Sequence, residues 1–182
     1  MAVTVSPDTF SFVSYDAAAI RVLTESIVAM LGIDRPVHVE VDETTPLARV
    51  AITIDATITV HAESGALEDP QRPRSFGEAT ASVTIARALL RARDRISGGF
   101  GEAPADEDLS LRQVAAWNTY SAGRMSRLGV PTTMPRMRYD FRNRHGFTDD
   151  VDAAFDRVWA SDALTWGELE SISSGVASAA VS

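Results

Sequence analysis

Residues 37–63, VHVEVDETTPLARVAITIDATITVHAE, decide how the fold is read. In Val37–Asp42, Val37, Val39 and Val41 alternate with His38, Glu40 and Asp42. In Ala48–Asp55, Val50, Ile52 and Ile54 alternate with Arg49, Ala51 and Thr53. In Thr57–Glu63, Ile58, Val60 and Ala62 alternate with Thr57, Thr59, His61 and Glu63. Successive side chains of a strand point to opposite faces, so this period of two gives each segment one buried and one wet face. The short links, Glu43–Leu47 and the Asp55-Ala56 corner, favour hairpins. The expectation is an antiparallel β-meander within a sheet of about three to five strands. Valines 37, 39, 41 and 50, isoleucines 52, 54 and 58, and Val60 should face the helices.

Helical periodicity flanks this core. Upstream, Phe10–Val13 reads as a short strand or extended lead-in. A helix is predicted over Ala17–Leu31, with Ile20, Leu23 and Ile27 on one face and Gly32 as its stop. Downstream, Ser64–Arg74 reads as a loop. Ser75 and Glu78 form a capping box for a helix over Gly77–Ile96. Ser110 with Gln113 opens another helix, to about Leu128. Arg136–His145 reads as extended after a Pro131–Pro135 linker. Thr148-Asp149-Asp150 starts a helix with acids in the first turn, where the helix dipole favours them. Thr165 with Glu168 caps a last helix ending near Gly175. Strands first and helices after indicate an α+β chain with helices on one sheet face. One domain is expected over 1–175, with a flexible tail over 176–182. At the level of fold alone, a meander ahead of a long helix is similar to degenerate zincins.

Composition removes much chemistry. The 182 residues include no Cys and no Lys, so all 17 basic residues are Arg, against 25 acids and a net charge of −8. Arg in place of Lys fits the codon supply of a high-GC, actinobacterial genome. Without Lys there is no P-loop and no Schiff base. Without Cys there is no thiolate nucleophile and no Cys-based zinc site. Three His remain, His38, His61 and His145. No apolar run is long enough to span a bilayer, and the N-terminus lacks a signal-peptide pattern. The chain is therefore expected in the cytoplasm, off the membrane and with no cofactor.

Charge is segregated. Residues 72–95 hold 6 Arg and 2 acids, residues 112–144 hold 7 Arg and one acid, and both ends of the chain are acidic. If Arg136–His145 is extended, Arg136, Arg138, Asp140, Arg142 and Arg144 share one face, a strip whose planar guanidinium forks suit phosphate or carboxylate. With His145, Arg124 and Tyr120 they form the candidate ligand-binding set. The competing reading pairs these Arg with acids of 145–170, such as Asp149, Asp150, Asp152 and Asp156. Net acidity opposes non-specific DNA binding. On the wet face of the strands, His38, His61 and Glu63 are the candidate metal ligands, with no metal expected. The loop Gly65–Arg74, stiffened by Pro70 and Pro73, is a candidate recognition loop or lid.

These readings give a non-catalytic binding or interaction module, its partner a protein or a small anionic ligand met through the Arg-rich surface. A homo-oligomer is compatible with them. The alternative is a small hydrolase using metal or carboxylate/His acid–base chemistry.

Overall fold

The computed structural model describes residues 2–179. Backbone proximity divides the chain into two compact units, Met1–Arg93 and Asp94–Ser182.

The first unit contains β1 (Val3–Ser6), α1 (Ala17–Leu31), β2 (Val37–Asp42), β3 (Val50–Ile54) and β4 (Ile58–Glu63). A 3-10 turn (Ser64–Leu67), the hairpin β5 (Glu68–Asp69) and β6 (Arg72–Phe76), and most of α2 (Glu78–Ile96) follow. The sheet order is β1-β2-β4-β3. β1 lies parallel to β2, with Val3 beside Val37 and Ser6 beside Glu40. β2 lies parallel to β4, with Val37 beside Ile58 and Asp42 beside Glu63. Only β3 runs antiparallel, against β4.

The expected antiparallel meander is therefore wrong, and the likeness to zincins that rested on it goes too. Alternation fixes the face each residue takes but not which neighbour its strand pairs with. The face assignment is right: Val37, Val39, Val41, Ile58 and Val60 are buried, while edge residues Val50, Ile52 and Ile54 are half-buried. The tight link Asp55–Thr57 makes the hairpin β3–β4, as expected. The Glu43–Arg49 link instead carries the chain past β4, so β2 pairs with β4 rather than β3. β1, only four residues long, carries too short an alternation to be read from sequence. Phe10–Val13 forms no strand; the nearest pairing is an isolated bridge between Ser14 and Ser75.

Parallel neighbours need a crossover, and α1 supplies it between β1 and β2. Its ends are those the sequence predicts. Asp16 caps the first turn by accepting from the Ala18 amide at 2.8 Å, and Gly32 closes the last with φ 62. Its buried face is Ile20, Ile27, Val28 and Leu31. The loop expected over 64–74 is the 3-10 turn and the β5–β6 hairpin. Ser75 lies in β6, so it does not cap α2, which begins at Glu78.

The second unit takes the last turn of α2 and the helices α3 (Leu111–Arg127), α4 (Met134–His145), α5 (Asp149–Ala160) and α6 (Trp166–Ala179). Of the three expected capping boxes, the two in this unit form. The Ser110 hydroxyl accepts from Gln113 N while Gln113 Oε1 accepts from Ser110 N at 2.8 Å. Thr165 and Glu168 exchange the same pair of bonds. Phe100 stacks on Trp117 and Tyr120, with ring centroids 4.8 and 5.9 Å apart, beside Phe141, Phe155 and Leu169. A Cβ on Gly123 would collide with the carbonyl oxygen of Trp159, so glycine is what lets α3 approach α5.

Arg136–His145 is helical, not extended. An every-second-residue pattern of charge imitated a strand, but burial has a helical period. Phe141 and His145 are buried four residues apart, with Met137 half-buried one turn earlier. Pro135, whose fixed φ suits a first turn, marks the start. α6 runs to Ala179, past the expected stop at Gly175 and into the expected tail; residues 180–182 lie outside the described residues. Among the described residues, no helix is long and apolar enough to cross a membrane.

Among its described residues, the second unit buries an ion pair. Asp94 accepts both terminal nitrogens of Arg124, at 2.6 and 2.7 Å, and the Trp117 indole N–H at 2.9 Å. The Arg124 guanidinium lies 3.7 Å above the Tyr120 ring. Removing one partner strands a buried charge, whereas removing both leaves an apolar contact. Arg124→Ala is therefore expected to cost about 3–5 kcal/mol. Asp94→Leu combined with Arg124→Met should cost far less. Urea unfolding followed by tryptophan fluorescence compares the two; equal losses would show that the charges do not set the cost.

Candidate functional site

Because β1, β2 and β4 are parallel, they release their chains at one edge of the sheet. The segments that follow them converge on a cavity of about 220 Å³ lined by Phe12, Val13, Glu43, Thr44, Pro46, Ser64, Glu68 and Arg74. Crevices at the carboxyl ends of parallel strands are where open α/β sheets bind ligands, since only loop backbone and loop side chains close them.

Polar bonds hold its walls. Glu43 Oε2 accepts the amides of Ser11 and Phe12 at 2.7 and 2.6 Å, tying the segment after β1 to the end of β2. Asp42 Oδ1 accepts the Thr44 hydroxyl and amide, at 2.5 and 2.8 Å, and these bonds hold its carboxyl below the usual range. The Tyr15 hydroxyl donates to the Ser64 carbonyl at 2.6 Å, with its ring between Phe10 and Phe76. Burial, then the nearby Glu68 charge, pushes that phenol up to about 12. Ser64 Oγ donates to the Thr45 carbonyl at 2.8 Å. Gly65 has no room for a Cβ beneath the Pro46 carbonyl oxygen. Against this braced wall the Phe12 ring is 62% exposed, too open for a core residue.

Arg74 carries strain at the rim. Its φ is 61, the left-handed region, while its carbonyl accepts from Ser14 N at 2.7 Å. A side chain there costs about 1 kcal/mol or more relative to glycine. Strain of this kind gathers at binding sites, where the surroundings enforce it. Arg74→Gly should therefore raise the melting midpoint by roughly 2–4 °C, and Arg74→Ala should not. A calorimetric scan of both decides it; equal shifts would mean the backbone is unstrained.

The sequence reading flagged the Gly65–Arg74 loop, and two of its residues, Glu68 and Arg74, line this cavity. It missed Phe12, Val13, Glu43, Thr44, Pro46 and Ser64. The one available signal was Phe12, an aromatic among serines in a segment with no apolar period.

The wet sheet face assembles differently. His38 pairs through Nδ1 with Thr4 Oγ1 at 2.8 Å and through Nε2 with Ser6 Oγ at 2.9 Å. His61 pairs through Nδ1 with Glu40 at 2.7 Å and through Nε2 with Thr53 at 3.0 Å. Each imidazole is taken up by its own strand neighbours. Glu63 sits beside Asp42, and neither imidazole is hydrogen-bonded to it. Among the described residues no cluster of three or more His, Asp or Glu is placed to hold a metal ion.

The Arg set divides. Arg138 pairs with Asp156 and, at 3.5 Å, with Asp152, and its guanidinium lies 4.3 Å over the Phe155 ring. Arg142 takes both oxygens of Asp152, holding that carboxyl below its usual range. Arg124 is buried on Asp94, and Arg127 binds Asp162 together with the carbonyls of Trp159 and Ser161. The Tyr120 hydroxyl donates to the Asp162 carbonyl at 2.9 Å, inside the core. Arg136 and Arg144 are exposed, with no carboxylate within ion-pair distance among the described residues.

His145 belongs to the core: 1% exposed, stacked on Phe141 at 4.0 Å, with Nδ1 bonded to the Phe141 carbonyl and Nε2 buried with no hydrogen-bond partner among the described residues. Burial, helped by the Arg112 charge, lowers its pKa below the ordinary 6.5, against the pull of the carbonyl bond. The folded ring stays neutral while the unfolded one takes up a proton below pH 6.5. The unfolded state then binds more protons, so stability is full above that pH and falls as pH drops through it. In His145→Leu that fall should disappear; an unchanged pH profile of unfolding midpoints would assign it to other groups.

Comparison with known protein families, with curated proteins and with solved structures finds no match to this chain.

Proposed function

We propose that this chain is a non-catalytic binding module whose first unit holds a small zwitterion with an apolar body, of the chemical kind of an apolar amino acid. The observation that carries the reading is the convergence of three connections, from the ends of three parallel strands, on one cavity of about 220 Å³. Sites for drug-sized ligands run to about 300–1,000 Å³, so this one suits something smaller. Phe12, Val13 and Pro46 offer apolar contact, and Glu68 and Arg74 offer one charge of each sign. Glu43, the remaining charged lining residue, spends its carboxylate on loop amides.

The chemistry of the lining favours binding over catalysis. A general base must reach its proton with a pKa near the working pH. Tyr15, pushed up to about 12 and donating to a carbonyl, stays protonated. The cleft contains no His, and its neighbouring carboxylate Asp42 is held low by Thr44.

Calorimetric titration with leucine, phenylalanine and their decarboxylated and deaminated analogues tests this. The intact amino acids should bind, and each analogue should bind more weakly. Glu68→Gln should weaken the ammonium-bearing ligands by about tenfold, the loss of one charge-assisted hydrogen bond of roughly 1.5 kcal/mol or more. Phe12→Ala should weaken all of them without changing the melting midpoint, because that ring is exposed. Absence of heat with every ligand, or binding indifferent to both substitutions, would remove the reading.

A further inference from the structure

We propose that the α3–α4 face of the second unit is a docking surface for an acidic amphipathic helix of a partner protein. A groove of about 240 Å³ runs between the two helices, with Leu111, Val114, Ala115 and Met137 as its apolar part and Asn118, Asp140, Asn143 and Arg144 around it. At 100° per residue, α4 turns Phe141 and His145 inward and Arg138 and Arg142 toward the acids of α5. That leaves Tyr139, Asn143, Arg136, Asp140 and Arg144 in one outward sector.

This sector is unusual in two ways. Large apolar groups stand open on this part of the unit: Leu111 of α3 is 61%, Tyr139 of α4 59% and Phe147, just after α4, 63% exposed, and the last two meet edge to face at 6.3 Å. Single exposed apolar residues mean little, but Leu111 stands open on a groove whose floor continues through Val114, Ala115 and Met137, and an apolar floor of that kind marks an interaction surface. Its arginines are also unspent. Arg112 and Arg144 are joined through a bond from Arg112 Nε to the Arg144 carbonyl at 3.0 Å, which leaves both guanidinium charges in place. In a chain of net charge −8, four of the seven arginines of 112–144, Arg124, Arg127, Arg138 and Arg142, are paired with carboxylates. Arg112, Arg136 and Arg144 carry no such pair among the described residues, and Asp140 offsets one charge of the three.

A helix laid in a groove reads it with apolar anchors at i, i+3, i+4 and i+7. Charge complementarity then sets orientation and excludes wrong partners. Arg144 on the groove, Arg112 bonded to its carbonyl and Arg136 one turn before Asp140 leave this face positive, and that charge calls for a partner helix whose flanks carry Glu or Asp. An extended acidic chain would match the charge but would leave the groove's apolar floor uncovered.

Fluorescence anisotropy with a labelled synthetic helix of about 18 residues tests this, with leucines on one face and glutamates elsewhere, beside a lysine version of the same peptide. The glutamate peptide should bind and the lysine peptide should not. Arg136→Glu with Arg144→Glu should weaken binding by about tenfold or more, and rising salt should do the same. Leu111→Asp should abolish it. Since none of these side chains is buried or ion-paired, the variants should melt with the parent chain. Equal binding of both peptides, binding of neither, indifference to the arginine reversals, or a lowered melting midpoint in the variants would each overturn the proposal.

Discussion

Parallel pairing of β2 with β4 is the constraint on which the first unit turns. An antiparallel meander would send successive strand ends to opposite edges of the sheet, and its loops would be short and scattered. Parallel strands must instead be joined by crossovers, and their carboxyl ends meet at one edge. With β1 added on the far side of β2, three connections leave that edge together. Backbone amides there have no ladder partner, and carboxylates such as Glu43 and Asp42 take them up. The cavity at this edge thus follows from topology, and its braced walls follow from the need to satisfy loop amides.

The second unit rests on a different economy, that of charge. Asp94 is its clearest case: three donors on two oxygens in a nearly dry setting, with a stacked tyrosine under the guanidinium. A pair so placed adds little net stability over an apolar contact, but it admits one arrangement of Trp117, Tyr120 and Arg124. The same principle operates more weakly at Arg138 and Arg142 on Asp152 and Asp156. These sites are partly exposed, where an ion pair is worth under about 1 kcal/mol, so their value is in fixing α4 against α5.

Legibility followed the physics of each signal. Three helix starts were readable from sequence, because Ser110, Thr148 and Thr165 each answer an amide that the helix leaves open; Ser75, with the same spacing to Glu78, lies in β6 and does not cap α2. Strand faces were readable, since Val37 to Ala62 keep a strict period of two. Strand partners were not, because both pairing directions satisfy the same alternation. α4 was misread because charge, unlike burial, is under no obligation to follow the period of its helix. The buried pair Phe141 and His145, four residues apart, was the better guide. Of the candidate site, only the Gly65–Arg74 segment was marked in advance. The rest comes from residues far apart in sequence, Phe12, Glu43 and Ser64, brought together by a sheet order that alternation cannot specify.

The arginine-rich middle of the chain shows why composition alone could not separate scaffold from surface. A guanidinium is equally available, as sequence, to a neighbouring carboxylate and to an outside partner. The distinction is made by geometry: Arg138 and Arg142 stand one turn apart on the side of α4 that meets α5, whose first turns are rich in Asp. Arg136 and Arg144 stand on the opposite side, where the chain supplies Asp140 alone. Acids are abundant elsewhere, so an exposed arginine left without one is not short of partners by composition. It is placed where, among the described residues, the fold offers only Asp140 nearby and no ion pair, with exposed Leu111 on the same groove as Arg144. Two independent kinds of unsatisfied surface, charged and apolar, then meet where α3 and α4 adjoin, and this is what the proposed partner helix would cover.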